Sequence, residues 1–183
     1  MKTLNELSRE VHANAVEKGF WDNTPSDEHC LMMVITELSE AIEADRIDNH
    51  ADRIGFDTAL ANAFEGIVRP EWFAQAYNSC IKNTVEDELA DAFIRLLDLA
   101  GARKYDVNRI LLEHPNMKKP FTENLFRICK EIIYYRYTKA ERVCYALLSV
   151  ITLCNYMKID LYWHVEQKIK YNSLRPKMHN KKY

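Results

Sequence analysis

Four acidic residues stand out by type and spacing: Glu37 and Glu40 in Glu37-Leu38-Ser39-Glu40-Ala41-Ile42, and Glu88 and Asp91 in Glu88-Leu89-Ala90-Asp91-Ala92-Phe93. Both segments read acid, leucine, small, acid, alanine, apolar. Residues three apart on an α-helix lie about 60° apart around its axis, so each pair converges into one oxygen-rich patch. In both segments the acids hold the same angular position relative to a leucine stripe, so packing stripe on stripe brings the two patches together. A single such pair is most often a solvated helix flank. Two copies with matching neighbours argue for more, because each lies in an unusually apolar helix: Leu31 to Ile35 is an unbroken apolar run, and Phe93 to Leu97 is broken only by Arg95. Helices apolar on most sides are central ones. Four carboxylates near the middle of a bundle repel one another unless cations neutralise them.

The cation follows from ligand type. An oxygen-only site without histidine or cysteine favours a hard ion, Mg²⁺ or else Mn²⁺, and Mg²⁺ commonly shares substrate phosphates as ligands. A di-iron carboxylate bundle needs an acid three positions before a histidine, and none of the six histidines has one. A complementary charge lies near the end of the chain, where Lys168, Asn172 and Arg175 fall at i, i+4 and i+7, followed by Lys177, His179, Lys181 and Lys182. Their plain alternative is a solvated helix face and tail; as a functional row they would bind phosphate oxygens. Trp21 is the first candidate to stack on a base, followed by Phe20 and Trp72, with burial as the competing role. Tyr134, Tyr135 and Tyr137 read as hairpin packing or a subunit interface. No G-x-x-x-x-G-K-S/T loop is present, which removes a P-loop route to phosphate chemistry.

The elements that must position these residues are helical. Only four glycines and five prolines punctuate 183 residues, and few segments alternate with the two-residue period of a strand. Leu4, Leu7, Val11 and Ala15 predict a helix over about 2–18, stopped at Lys18-Gly19. Ser26 or Asp27 caps a second, ending near Asp48. Residues 50–69 are ambiguous, with a short helix around Thr58 to Phe64, and Pro70 suits the first position of the next. Asn83 or Thr84 caps the clearest helix, striped by Val85, Leu89, Ala92, Phe93, Leu96 and Ala100 and closed by Gly101. Leu125, Ile128, Ile132 and Ile133 mark another. Thr138 to Glu141 matches a capping box and opens its partner in a hairpin. A last helix begins near Asp160 and ends at or before Pro176. The expectation is an all-α bundle forming one domain over 1–183, with insertions at about 50–82 and 113–157.

Composition sets the remaining bounds. A hydrophobic share of 48% with 28% charged residues supports a folded core. A net charge of −2 and a basic tail of seven residues argue against a nucleic-acid binder, which carries a broad basic footprint. Five scattered cysteines without a C-x-x-C indicate neither a disulfide framework nor zinc. No signal peptide or membrane span is legible, so a cytoplasmic protein is expected.

Together, the E-x-x-E pair, the later E-x-x-D pair and the K-x-x-x-N-x-x-R helix resemble, in that order, the MazG-like all-α nucleoside triphosphate pyrophosphohydrolases. Lys18-Gly19-Phe20-Trp21 and the stretch from Glu37 to Arg46 add to the likeness, which covers about 2–48, 83–107 and 158–183. The resemblance implies Mg²⁺-dependent hydrolysis of a nucleoside triphosphate to the monophosphate and pyrophosphate, in dimers or tetramers. It makes Glu37, Glu40, Glu88 and Asp91 the metal ligands and Lys168, Asn172 and Arg175 the phosphate contacts. Either Glu37 or Glu40 would help deprotonate the attacking water. The long interval between the acidic pairs and the extra hairpin depart from compact family members. A helical nucleotide-binding or interaction protein that keeps the bundle without turnover is the alternative.

Overall fold

The structure, a computed structural model, describes residues 2–61, 68–108, 115–134, 136 and 138–180. Among them are eight α-helices and no strand. The first helix, α1 (Leu4–Glu17), opens at Thr3 in a capping box with Glu6, and the chain leaves it through Gly19 at φ +83, as Lys18-Gly19 suggested. Ser26 caps α2 (Asp27–Arg46). Next come α3 (Arg53–Ala61) and α4 (Pro70–Cys80), the latter with proline in its first turn. Thr84 caps α5 (Val85–Arg103) by accepting from the Asp87 amide. After α6 (Phe121–Tyr134), the Thr138 capping box starts α7 (Lys139–Met157), and α8 (Leu161–Leu174) ends before Pro176.

The apolar stripe of α5 makes it the central helix: it packs against α1, α2, α7 and α8. Leu89, Phe93, Leu96 and Ala100 on α5 and Val34 and Leu38 on α2 are fully buried, so the two leucine stripes meet as their spacing implied. A second, smaller core joins α3, α4 and α8 through Phe56, Phe73, Tyr77 and Tyr171, with Tyr77 stacked on Tyr171 at 4.4 Å. That cluster is what the long interval between the acidic pairs builds. Its Tyr77 hydroxyl points at α5, where Asp87 accepts its hydrogen bond.

Three expectations are corrected. The helix after residue 50 begins at Arg53 rather than Thr58, because the Asp52 carboxylate accepts from the Gly55 amide at 2.8 Å and caps it early; Phe64 lies outside the described residues. Gly101 does not close α5, which runs on to Arg103 and ends at Lys104 with φ 56. Its lack of a side chain serves packing instead: a Cβ there would sit 2.5 Å from the Ser8 carbonyl oxygen and 2.7 Å from His12 Cβ of α1. Gly101→Ala should therefore destabilise the fold by about 1–2 kcal/mol despite the higher helix propensity of alanine. Urea unfolding of the two proteins checks this, and an unchanged midpoint would mean that α1 yields freely. Finally, Met32 in the apolar run of α2 is 53% exposed, so that helix is buried on fewer sides than the run suggested.

All five cysteines are free, with Cys144 and Cys154 buried. Among the described residues no single helix is long and apolar enough to cross a membrane.

Candidate active site

Packing of α2 on α5 brings three carboxylates together. Glu37, Glu40 and Glu88 each offer an oxygen, and these oxygens all lie within 4.8 Å of one another. Glu37 and Glu88 are buried while Glu40 is exposed, so the cluster has one open side. One turn beyond Glu88, Asp91 receives the Lys168 ammonium at 2.7 Å. The same ammonium lies 2.8 and 2.9 Å from the two oxygens of Asp87, which is fully buried and also accepts from the Tyr77 hydroxyl and the Asn83 amide. Across the cluster, Arg95 Nε donates to Glu37 at 2.5 Å.

Five carboxylates thus face two cations, and the imbalance is legible in their acidities. Burial, then the Asp91 and Asp87 charges, push Glu88 up to about 9. Burial and Asp91 also raise Glu37, although Arg95 opposes them. Lys168 goes up as well: burial disfavours its charge, but Asp91 and Asp87 outweigh that. An all-oxygen donor set with excess negative charge and one open side fits a hard divalent cation.

Beside this cluster a cleft of about 480 Å³ opens between α1, α5, α8, the start of α2 and the loop after α1. Asp91 and Arg95 line it, which joins it to the acids. Trp21, Met33, Ile94 and Ile169 supply apolar wall. The indole of Trp21 is fixed on three sides: Nε1 donates to Asp98 at 2.9 Å, the His12 ring stands edge-on at 5.0 Å, and the Arg103 guanidinium sits 5.5 Å from its centre. Asp98 accepts from His12 Nδ1 as well, at 2.8 Å. Burial raises the Asp98 carboxyl, with the His12 and Trp21 bonds opposing.

The rim of the cleft is stitched from both ends of the chain. Lys18 donates to the Ser173 and Arg175 carbonyls at 2.8 and 2.7 Å, caring for orphan acceptors at the end of α8. The Met178 amide donates to Lys18 O at 2.8 Å, Lys177 pairs with Asp22 at 2.7 Å, and Phe20 meets the His179 ring.

Of the residues singled out by sequence, Phe20, Trp21, Asp91, Asn172 and Arg175 line the cleft, and Glu37, Glu40 and Glu88 form the cluster beside it. Lys168 departs from expectation: it is 4% exposed and held between Asp87 and Asp91, not open as a phosphate contact, because the α8 face that carries it packs on α5. Trp72 does not line the cleft; it sits on α4 beneath Arg69. Tyr134 is 75% exposed rather than packed in the hairpin. Tyr135, Tyr137, Lys181 and Lys182 lie outside the described residues.

Spacing also carries a signal for Arg95 and Asp98. Glu88, Asp91, Arg95 and Asp98 recur at i, i+3, i+7 and i+10, one polar line along a helix that is largely apolar beyond its first turn. Asp87, Tyr77 and His12 carry no such mark. Comparison with family models, with curated proteins and with solved structures finds no match for this chain.

Proposed function

We propose that this chain is a Mg²⁺- or Mn²⁺-dependent nucleoside triphosphate pyrophosphohydrolase on a MazG-like bundle, releasing a monophosphate and pyrophosphate. The observation that carries this reading is the convergence of Glu37, Glu40 and Glu88 within 4.8 Å beside a cleft walled by Trp21, Asn172 and Arg175. The metal would be held by those three acids and Asp91, and when bound it supplies an acidified water and neutralises charge on the leaving pyrophosphate. Glu40 would be the proton acceptor of this site, since its carboxylate is exposed while Glu37 accepts from Arg95. Arg175 and Asn172 contact the phosphates, and Trp21 stacks on the base. Lys168 acts indirectly, holding Asp91 in position. Assembly into dimers or tetramers belongs to the same reading, and exposed Phe126, Ile133 and Tyr134 on α6 offer a face for it.

The test is a panel of nucleoside triphosphates incubated with pure protein and Mg²⁺, with both products identified. Pyrophosphate and monophosphate should appear together. Orthophosphate with a diphosphate would sink the proposal, and binding without turnover would favour a nucleotide-binding protein of the same bundle.

Arg175→Ala should lower turnover at least about tenfold, the weight of a charge-assisted phosphate contact. Its thermal midpoint should stay near the parent's, because Arg175 follows the last turn of α8 and its backbone carbonyl, not its side chain, ties it to Lys18. Full activity in that variant would remove Arg175 from the site.

A further inference from the structure

The far end of the cleft carries an acceptor with no part in the hydrolysis itself. Asp98 follows Asp91 on α5 by seven residues, two turns of helix, which is about 10 Å along the axis. Both carboxylates line the same cleft. That separation is the reach from the α-phosphate of a nucleotide, across its sugar, to the outer edge of its base.

The hydrogen bonding of Asp98 is lopsided. Its Oδ1 accepts from His12 at 2.8 Å and from Trp21 at 2.9 Å, whereas Oδ2 receives only a longer contact from the same Trp21 nitrogen, at 3.1 Å. Because His12 Nδ1 and Trp21 Nε1 both donate to Asp98, neither is left to meet a carbonyl on a ligand. Arg95, one turn back, turns its Nε to Glu37. Beside the Trp21 indole, the group that a base edge would meet is the Oδ2 acceptor of Asp98, which lines the cleft with Ile94. An ionised carboxylate only accepts hydrogen bonds. It attracts an amino group and repels a carbonyl oxygen, and in a partly buried site the unpaired alternative is costly.

We propose that Asp98 reads the base and selects a nucleotide whose base carries an exocyclic amino group, as cytosine and adenine do, over the deaminated counterparts uracil and hypoxanthine. This rests on the nucleotide reading of the cleft. The amine donates to Oδ2 while the ring lies along the Trp21 indole. Exchanging that amine for a carbonyl, with no other change of shape, sets two acceptors against each other.

The decisive pairs are CMP against UMP and AMP against IMP, titrated into metal-free protein at about pH 8, set well above the ordinary carboxylate range because burial pushes Asp98 up, with intrinsic tryptophan fluorescence as the readout. At least one pair should bind, with the amino member at least about tenfold tighter, well inside what a site built to pair a donor achieves. Asp98→Asn, whose amide can turn its NH₂ toward a carbonyl, should bring the ratio to about twofold or reverse it. Equal binding within each pair, tighter binding of the oxo member, no binding of any monophosphate, or full discrimination by Asp98→Asn would overturn the proposal. If that variant does not fold, the ratios in the parent decide. Turnover of the triphosphates is measured alongside. Discrimination without turnover defeats the hydrolase reading and leaves this one standing, and turnover without discrimination does the reverse.

Discussion

Replacing Lys168 with methionine is expected to remove roughly 3–5 kcal/mol of unfolding free energy, the cost of breaking a buried charge pair from one side. Asp87 is fully buried, and Lys168 is the cation that its two oxygens face at 2.8 and 2.9 Å. Asp91, 2.7 Å from the same ammonium, would add its repulsion once that ammonium is gone. Urea unfolding measures the loss. Adding Asp87→Asn to Lys168→Met should recover much of it, because the orphaned charge disappears while the Tyr77 hydroxyl keeps an acceptor. A lysine that served only as a phosphate contact would behave otherwise: turnover would fall and the unfolding midpoint would not move.

Glu88→Gln should have the largest effect on activity, about a hundredfold or more, because it takes one charged oxygen ligand from the candidate metal cluster. Its effect on the metal-free fold has the opposite sign. Glu88 is held at about 9 in the folded protein against an ordinary value of 4.5. Between those values the folded state keeps a proton that the unfolded chain has lost, so the stability linked to Glu88 is complete below 4.5 and drains away as pH rises to about 9. Buried His164, depressed from 6.5 to about 4, works in reverse and adds stability as pH rises through that lower range. The clean window is therefore 6.5 to 9, where metal-free parent protein should lose stability with rising pH and Glu88→Gln should lose less. A residual slope is expected, since Glu37 is raised too. Identical pH profiles for the two proteins would show that Glu88 titrates as an ordinary surface acid.

Much of the framework could be read from residue spacing. Helix α5 was legible because its cap, stripe and length agree, and the two acidic pairs were legible because each shares a helical face with a leucine stripe that must be buried. The role of Lys168 was not. On a helix wheel it belongs with Asn172 and Arg175, yet Lys168 is buried between Asp87 and Asp91 of α5 whereas Asn172 and Arg175 are half-buried and line the cleft. Which end touches solvent depends on the tilt of one helix on another, and periodicity does not encode tilt. Asp87 was hidden for a related reason: its burial depends on Tyr77, which belongs to a different helix and a separate aromatic cluster. Gly101 was misread because glycine near a helix end usually signals a stop, whereas here it lets α1 approach the backbone of α5.

The claim that Glu37, Glu40 and Glu88 hold a divalent cation is tested most directly by thermal unfolding at about pH 8, with Mg²⁺ or with chelator, for the parent and for Glu88→Gln. Saturating Mg²⁺ should stabilise the parent by about 1–3 kcal/mol, a rise of roughly 2–12 °C, with no comparable effect of a monovalent salt at equal ionic strength. Glu88→Gln should melt higher than the parent in chelator and lose most of the Mg²⁺ response. A parent midpoint indifferent to Mg²⁺, or an equal rise in both proteins, would contradict the metal site and the hydrolase reading built on it.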